Sequence, residues 1–143
     1  MSKSVAASVL AAALLASCAT KPVADDEAIA VPSDRAFLYQ ANAADAGTLI
    51  VTRDGGFQGS ACDIGVLIDG KDAARLKPGE RATFKIPAGE IILGVQPVGA
   101  GICSAGQARV RRETGLVIKP GVVRKYRFGI GPSGEPTIAP TTY

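Results

Sequence analysis

The turn residues between positions 48 and 95 constrain the fold of this chain more than any other feature. Short runs rich in Val, Ile and Thr are separated there by Asp-Gly, Pro-Gly and Ala-Gly pairs. Such frequent turn signals leave little room for helices and are typical of antiparallel β-structure. The runs predicted to be strands are residues 48–53, 63–68, 73–76, 81–86 and 90–95.

The run 81–86 has the period of a half-buried strand. Its apolar side chains Ala82, Phe84 and Ile86 alternate with polar ones, so one face can be buried while the other meets water. Asp69-Gly70 suits a two-residue hairpin, because Asp tolerates positive φ and Gly adopts it without steric cost. Pro78-Gly79 has the residues of a type II turn. We therefore predict an all-β fold, a small antiparallel β-sandwich.

The strand pattern resumes after residue 98. We predict strands at 107–113, 116–119 and 122–130, and the pair Pro120-Gly121 predicts that the last two form a hairpin.

Length and composition set the outer bounds. A chain of 143 residues with 47% hydrophobic residues, 17 glycines and 9 prolines fits one domain with many turns. Its formal charge of +3 is small and its basic residues are dispersed. Net charge therefore gives no indication of nucleic-acid binding.

The N-terminus carries a targeting pattern. Lys3 precedes an apolar run at 5–15, which covers only about half of the roughly 20 residues that a transmembrane helix needs. The sequence Leu-Ala-Ser-Cys at 15–18 resembles the lipobox of bacterial lipoproteins. That resemblance implies cleavage after Ser17 and lipid attachment at Cys18, and an ordinary secretory signal is the alternative. Ala19 stands where Asp would be the retention signal of the inner membrane in enteric bacteria, so the outer membrane is favoured.

The residues after Cys18 are predicted to form a tether. Residues 19–34 are acidic, contain Pro22 and Pro32, and follow neither hydrophobic period. A flexible coil of this length reaches roughly 20 to 25 Å. The expected organisation is a signal peptide at 1–17, a lipidated N-terminus and flexible linker at 18–34, and a single β-sandwich domain at 35–143. Loss of Lys3 leaves 15 Lys and Arg against 13 Asp and Glu, a formal charge of +2.

Cys62 and Cys103 remain once Cys18 is lipidated. Both lie in glycine-rich segments, and two leftover cysteines in a secreted chain most simply form a disulfide. A metal site has less support, because the chain has no histidine and two thiols do not complete the four ligands that zinc usually takes.

Residues 53–89 contain a set of turn and strand residues that recur together: Arg53, Gly56-Phe57-Gln58-Gly59-Ser60, Leu67-Ile68-Asp69-Gly70-Lys71, Pro78-Gly79 and Ile86-Pro87-Ala88-Gly89. With these residues the segment resembles an uncharacterised bacterial domain of unknown function that is common in lipoproteins and is similar to PEGA-type β-modules. The resemblance implies a small β-sandwich and no particular activity. Families of this kind often carry histidine after the final Pro-x-Gly, where this chain has Glu90.

Basic residues in the last strands are the only candidates for a binding patch. If the predicted strands pair, Arg109, Arg111, Lys125 and Arg127 form a basic face that suits an anionic glycan, lipid head groups or an acidic partner. A solvated sheet face is the alternative interpretation.

These features favour a noncatalytic, lipid-anchored envelope protein that binds or supports an envelope protein or peptidoglycan. The alternative is a lipoprotein inhibitor of a periplasmic or invading enzyme, which would use loop 55–60 or loop 98–106. A hydrolase has less support, because the chain offers no histidine as a general base.

No cofactor, metal or nucleic acid is expected. The expected location is the periplasmic side of the outer membrane. The inner membrane and the cell surface are the alternative locations, and the sequence does not predict an oligomeric state.

Overall fold

The computed structural model describes residues 19–143, and in this range strands dominate. Helix is confined to a 3₁₀ turn (Ser33–Arg35) and two short segments, α1 (Ile102–Ala105) and α2 (Gln107–Val110). The strands are β1 (Ile29–Ala30), β2 (Ala46–Arg53), β3 (Asp63–Ile68), β4 (Lys71–Leu76), β5 (Glu80–Pro87), β6 (Gly89–Val98), β7 (Arg112–Ile118), β8 (Val123–Ile130) and β9 (Pro136–Pro140).

The strands form two sheets that pack face to face. The first has the order β1-β5-β2-β8-β9 and the second the order β4-β3-β6-β7. The second sheet is antiparallel throughout. In the first, β2 runs antiparallel to β5 but parallel to β8, and β1 runs parallel to β5. The predicted all-β sandwich is confirmed, with two parallel pairings that the turn pattern did not indicate.

The core lies between the two sheets. Leu49 and Phe84 of the first sheet share one cluster with Ile68 and Leu93 of the second, and all four are fully buried. Burying each such side chain stabilises the fold by about 1.5 to 3 kcal/mol. Strand β5 alternates buried and half-buried positions, as its apolar period predicts.

Two of the predicted turns are confirmed by their backbone. Asp69 and Gly70 have φ of 50° and 76° and join β3 to β4 as a hairpin. Gly79 has φ of 78°, and the N–H of Glu80 donates to the carbonyl of Lys77 at 3.1 Å. This second turn carries the chain from one sheet to the other, because β4 and β5 lie in different sheets.

The predicted hairpin at Pro120-Gly121 is wrong, although its turn exists. The N–H of Val122 donates to the carbonyl of Lys119 at 3.2 Å. The chain then leaves the sheet of β7, because Gly121 and Val122 bond to the backbone of Ala46 and Thr48 in β2. As a result β7 pairs with β6, and β8 pairs with β2 and β9.

The strand predicted at 107–113 is also wrong over its first half. Residues Gln107–Val110 are helical, and the N–H groups of Arg109 and Val110 both donate to the carbonyl of Gly106. The strand starts only at Arg112 and continues without a break through Thr114-Gly115, where a turn was expected. Gly115 stays in register opposite Ile92.

The described part of the predicted flexible linker packs on the sandwich, so that prediction is wrong for residues 20–34. Ala28 is buried, and Ile29 and Ala30 pair with β5. The carboxylate of Asp25 lies 2.5 Å from the ammonium of Lys125. This segment is held by backbone hydrogen bonds and by single side chains. Contacts of these kinds do not require a repeating hydrophobic pattern, so the sequence did not indicate them. The predicted signal peptide and Cys18 lie outside the described residues and stay predictions.

Candidate functional site

One end of the sandwich gathers most of the unusual residues. We call it the Thr20 end, and define it by Thr20 and Lys21, loop 54–62, segment 99–111 and turn 131–134. The carboxyl ends of β2, β6 and β8 reach this end, and β3 and β7 begin there. Cys62 and Cys103 join its two main loops, with their sulfurs 2.09 Å apart and their Cα atoms 5.5 Å apart. The sequence predicted this disulfide.

A cavity of about 260 Å³ opens at the Thr20 end. This volume is slightly below the roughly 300 Å³ at which small-molecule pockets usually begin. Its polar lining includes Thr20, Arg53 and Asp54. Its apolar walls come from both sheets and from the helical segments, and they include Ile64, Pro97, Ile102, Val110, Phe128 and Ile130.

Arg53 is a buried cation beside the cavity, only 3% exposed. Nη1 donates to the carbonyls of Cys62 and Leu76, and Nη2 to the carbonyl of Gly59, each at 2.8 Å. Within residues 19–143 no carboxylate lies at ion-pair distance from it. Burial lowers the pKa of Arg53 to about 10. The guanidinium thus fixes the loop that carries Cys62 to the end of β4.

Asp54 is almost fully buried and is held by two partners. Nε of Arg127 donates to its Oδ1 at 3.0 Å, and the hydroxyl of Thr20 donates to its Oδ2 at 3.0 Å. The hydrogen bond to Asp54 raises the pKa of Arg127 above its ordinary value. The carboxylate therefore serves as a structural link between β2, β8 and the N-terminal segment.

Thr20 fixes the N-terminal segment to the sandwich. Its N–H donates to the carbonyl of Ile130 at 2.9 Å, and its Oγ accepts the N–H of Ile130 at 2.7 Å. The next residue continues the contact, because Lys21 and Gly55 exchange two backbone hydrogen bonds of 2.8 and 2.9 Å.

Two large apolar side chains project from the loops of the Thr20 end. Phe57 is 91% exposed and Ile102 is 81% exposed. Phe57 follows Gly56, where an added Cβ would come within 3.6 Å of the Cα of Thr20. Ile102 lines the cavity together with Gln58, the neighbour of Phe57. The disulfide between Cys62 and Cys103 keeps the two loops together.

The structure does not bring the four predicted basic residues onto one face. Arg109 is exposed on α2, and Arg111 lies just before β7, in contact with the carboxylate of Glu113. Lys125 and Arg127 are in β8, in the other sheet, and pair with Asp25 and Asp54. The prediction of a shared face is wrong, because β7 and β8 do not pair.

Sequence reasoning missed the polar roles of Arg53, Asp54 and Thr20. Arg53 had a signal, because it shares the inward face of β2 with Leu49 and Val51, where a charged side chain needs buried partners. Asp54 and Thr20 had none, since their partners Arg127 and Ile130 are distant in sequence.

Within residues 19–143, no three His, Cys, Asp or Glu side chains cluster as metal ligands would. No helix of this range is long and apolar enough to cross a membrane.

The chain matches no protein-family model, and comparisons with curated proteins and with solved structures gave no match. The similarity to PEGA-type modules therefore stays a prediction from the residues.

Proposed function

We propose that this protein is a lipid-anchored envelope protein, attached through Cys18, whose β-sandwich binds or supports another envelope component without catalysis. The observation that carries the proposal is the attachment of Thr20 to Asp54 and Ile130, only two residues after the lipobox cysteine. The anchor and the folded domain are thus almost contiguous. The sandwich would sit on the membrane surface, without a long flexible spacer.

A binding or supporting role also agrees with the use of the buried polar groups at the Thr20 end. Arg53 holds three backbone carbonyls, and Asp54 holds Arg127 and Thr20. Each of these groups is engaged in a structural contact. A reacting group would instead need a positioned partner and room for a substrate.

The proposed location is the periplasmic side of the outer membrane. The Cys62–Cys103 disulfide fits an oxidising compartment, and Ala19 after the lipobox cysteine fits the outer membrane by resemblance. Peptidoglycan and envelope proteins are the partners within reach there.

An inhibitor of an enzyme is the second candidate function, favoured by one observation. The two loops predicted for such a role lie side by side, are joined by the disulfide, and carry the exposed Phe57 and Ile102. A rigid loop with an apolar tip is suited to insertion into a groove. Against this candidate, the same tips lie next to the proposed anchor and would face lipid.

Lipid attachment is tested by comparing C18A with the matched variant S17A, which keeps a small residue before the cysteine. Fatty-acid labelling and mass spectrometry should find acyl groups on the wild type and S17A, and none on C18A. C18A should also leave the membrane fraction or accumulate as precursor. An unmodified mature N-terminus at another residue in the wild type would refute the anchor.

The two candidate functions are separated by retention from detergent-solubilised envelopes. If the protein is a supporting module, the wild type and F57S/I102S should retain peptidoglycan or envelope proteins equally well. An inhibitor should retain an enzyme, lower its activity, and lose both effects in F57S/I102S.

A further inference from the structure

The exposed apolar tips need a partner that the sandwich does not supply. Single exposed apolar residues are common on protein surfaces and need no explanation. Phe57 and Ile102 differ because they lie at the same end of the molecule, on two loops that a disulfide joins, and Ile102 lines the cavity that opens there. We call these two side chains together the apolar edge.

The place where the described chain begins indicates the partner. Gly55 exchanges two backbone hydrogen bonds with Lys21, so Phe57, two residues further on, is close to the point from which the chain continues back to Cys18. The chain between Thr20 and Cys18 spans at most about 7 Å at full extension. The Thr20 end therefore cannot be far from the proposed lipid anchor. Acyl chains on Cys18 would therefore bring this edge to the surface of the bilayer that holds them.

Charge at the Thr20 end is compatible with a lipid surface but does not dominate it. Lys21 and Arg109 are exposed and can approach anionic head groups, whereas Glu135 is exposed beside the turn 131–134 and opposes them. Asp54 is neutralised by Arg127. Contact with lipid would then depend on the apolar tips more than on charge.

We propose that the Thr20 end is a membrane-docking surface, on which Phe57 and Ile102 enter the interfacial layer of the leaflet that holds the acyl chains of Cys18. This inference rests on the lipid attachment proposed above, and it names the bilayer as the partner of the Thr20 end. The acyl anchor makes docking an intramolecular event at high effective concentration, so two side chains suffice to orient the domain. Docking directs the opposite end, with Val123, away from the membrane.

The chain has no tryptophan, which allows a direct test. The lipidated full chain is prepared as F57W, I102W and the control V123W, since Val123 is exposed at the opposite end. Each is placed in vesicles of phosphatidylethanolamine with a minor fraction of phosphatidylglycerol, with and without bromine on the acyl chains. Thermal melting of each variant verifies that it is folded.

Docking predicts that brominated lipid quenches the indole of F57W and I102W several-fold more than that of V123W, with a blue shift for the first two only. Equal quenching of all three, or no quenching of F57W and I102W, overturns it. Mass spectrometry of the same samples separates the two proposals. An acylated Cys18 with an unquenched F57W refutes docking and leaves the anchor standing, whereas an unmodified Cys18 refutes the anchor and the docking that rests on it.

Discussion

The hydroxyl of Thr20 donates to the buried carboxylate of Asp54 at 3.0 Å. This contact ties the beginning of the described chain to the end of β2, and the backbone of Ile130 holds Thr20 from the other side. A segment expected to be a free linker is therefore a structural part of the sandwich. The short span proposed between the lipid anchor and the domain rests on this contact, and so does the orientation proposed for the domain.

Replacing Thr20 by Val keeps the shape of the side chain and removes its hydroxyl. We expect T20V to lower the free energy of unfolding by about 1 to 2 kcal/mol, because Asp54 and the N–H of Ile130 each lose a hydrogen-bond partner. Urea unfolding measures the change, and T142V in the exposed tail is the matched control. Equal stability of T20V and T142V would mean that Thr20 does not hold the N-terminal segment.

We expect the loss of Arg127 to lower the free energy of unfolding. The loss of an arginine on a solvated basic face would leave it almost unchanged. In R127S the carboxylate of Asp54 stays buried without its cation, which should cost roughly 2 kcal/mol, less than for a fully buried pair because Arg127 itself is 31% exposed. R124S removes an exposed arginine from the same strand and should have little effect. Similar urea midpoints for the two variants would contradict this assignment.

The disulfide closes a loop with a sequence separation of 41 residues. On the chain-entropy model its loss destabilises the domain by roughly 4 kcal/mol. We expect C62A/C103A and the reduced wild type to unfold at similarly low urea concentrations, and reductant to leave C62A/C103A unchanged. Nonreducing peptide mapping should recover the linked pair. Two readily alkylated thiols in protein from an oxidising compartment would contradict the pairing.

Glu80 links stability to pH. Burial by itself raises the pKa of Glu80, but hydrogen bonds from Arg35 and from the N–H of Lys77 together outweigh it and hold the pKa below its ordinary value. A carboxyl of this kind stabilises the fold at pH values above its unfolded pKa, and the contribution is lost as pH falls through the folded pKa.

We therefore expect the wild type to lose stability as pH falls below about 4.5, the ordinary value for glutamate, and E80Q to lose less over the same range. Urea unfolding midpoints at a series of pH values measure the loss of stability. The control is E90Q, because Glu90 is exposed. If E80Q and the wild type lost stability in parallel, another group would be responsible.

Turn chemistry and strand period were sufficient to predict the class of fold. Asp69-Gly70 and Pro78-Gly79 make the expected turns because positive φ is a local requirement that the sequence itself meets. The same signals do not say which sheet receives the next strand. The turns before Glu80 and Val122 each send the chain into the other sheet, and that choice is made by contacts with distant residues such as Ala46.

The candidate site could be predicted only where its signal is local. Cys62 and Cys103 were paired by counting cysteines, and the two loops they join were already visible as glycine-rich segments. The helix at Gln107–Val110 and the packing of Ala28 were missed, because neither leaves a hydrophobic period in so short a stretch. Arg109 lies in α2 and Arg127 in β8. Their separation depends on which sheet each strand joins, and the sequence does not indicate that.

The parallel pairing of β2 with β8 affects when the chain can fold. Thr48 lies opposite Val123, and Arg53 opposite Phe128, so the middle strand of the first sheet lacks one neighbour until most of the chain has been synthesised. Contacts between residues so far apart in sequence form slowly, because loop closure must precede them. We expect refolding on the millisecond to second scale that is typical of such β topologies. If the chain is exported as proposed, this strand pair can form only after most of the chain has crossed the membrane.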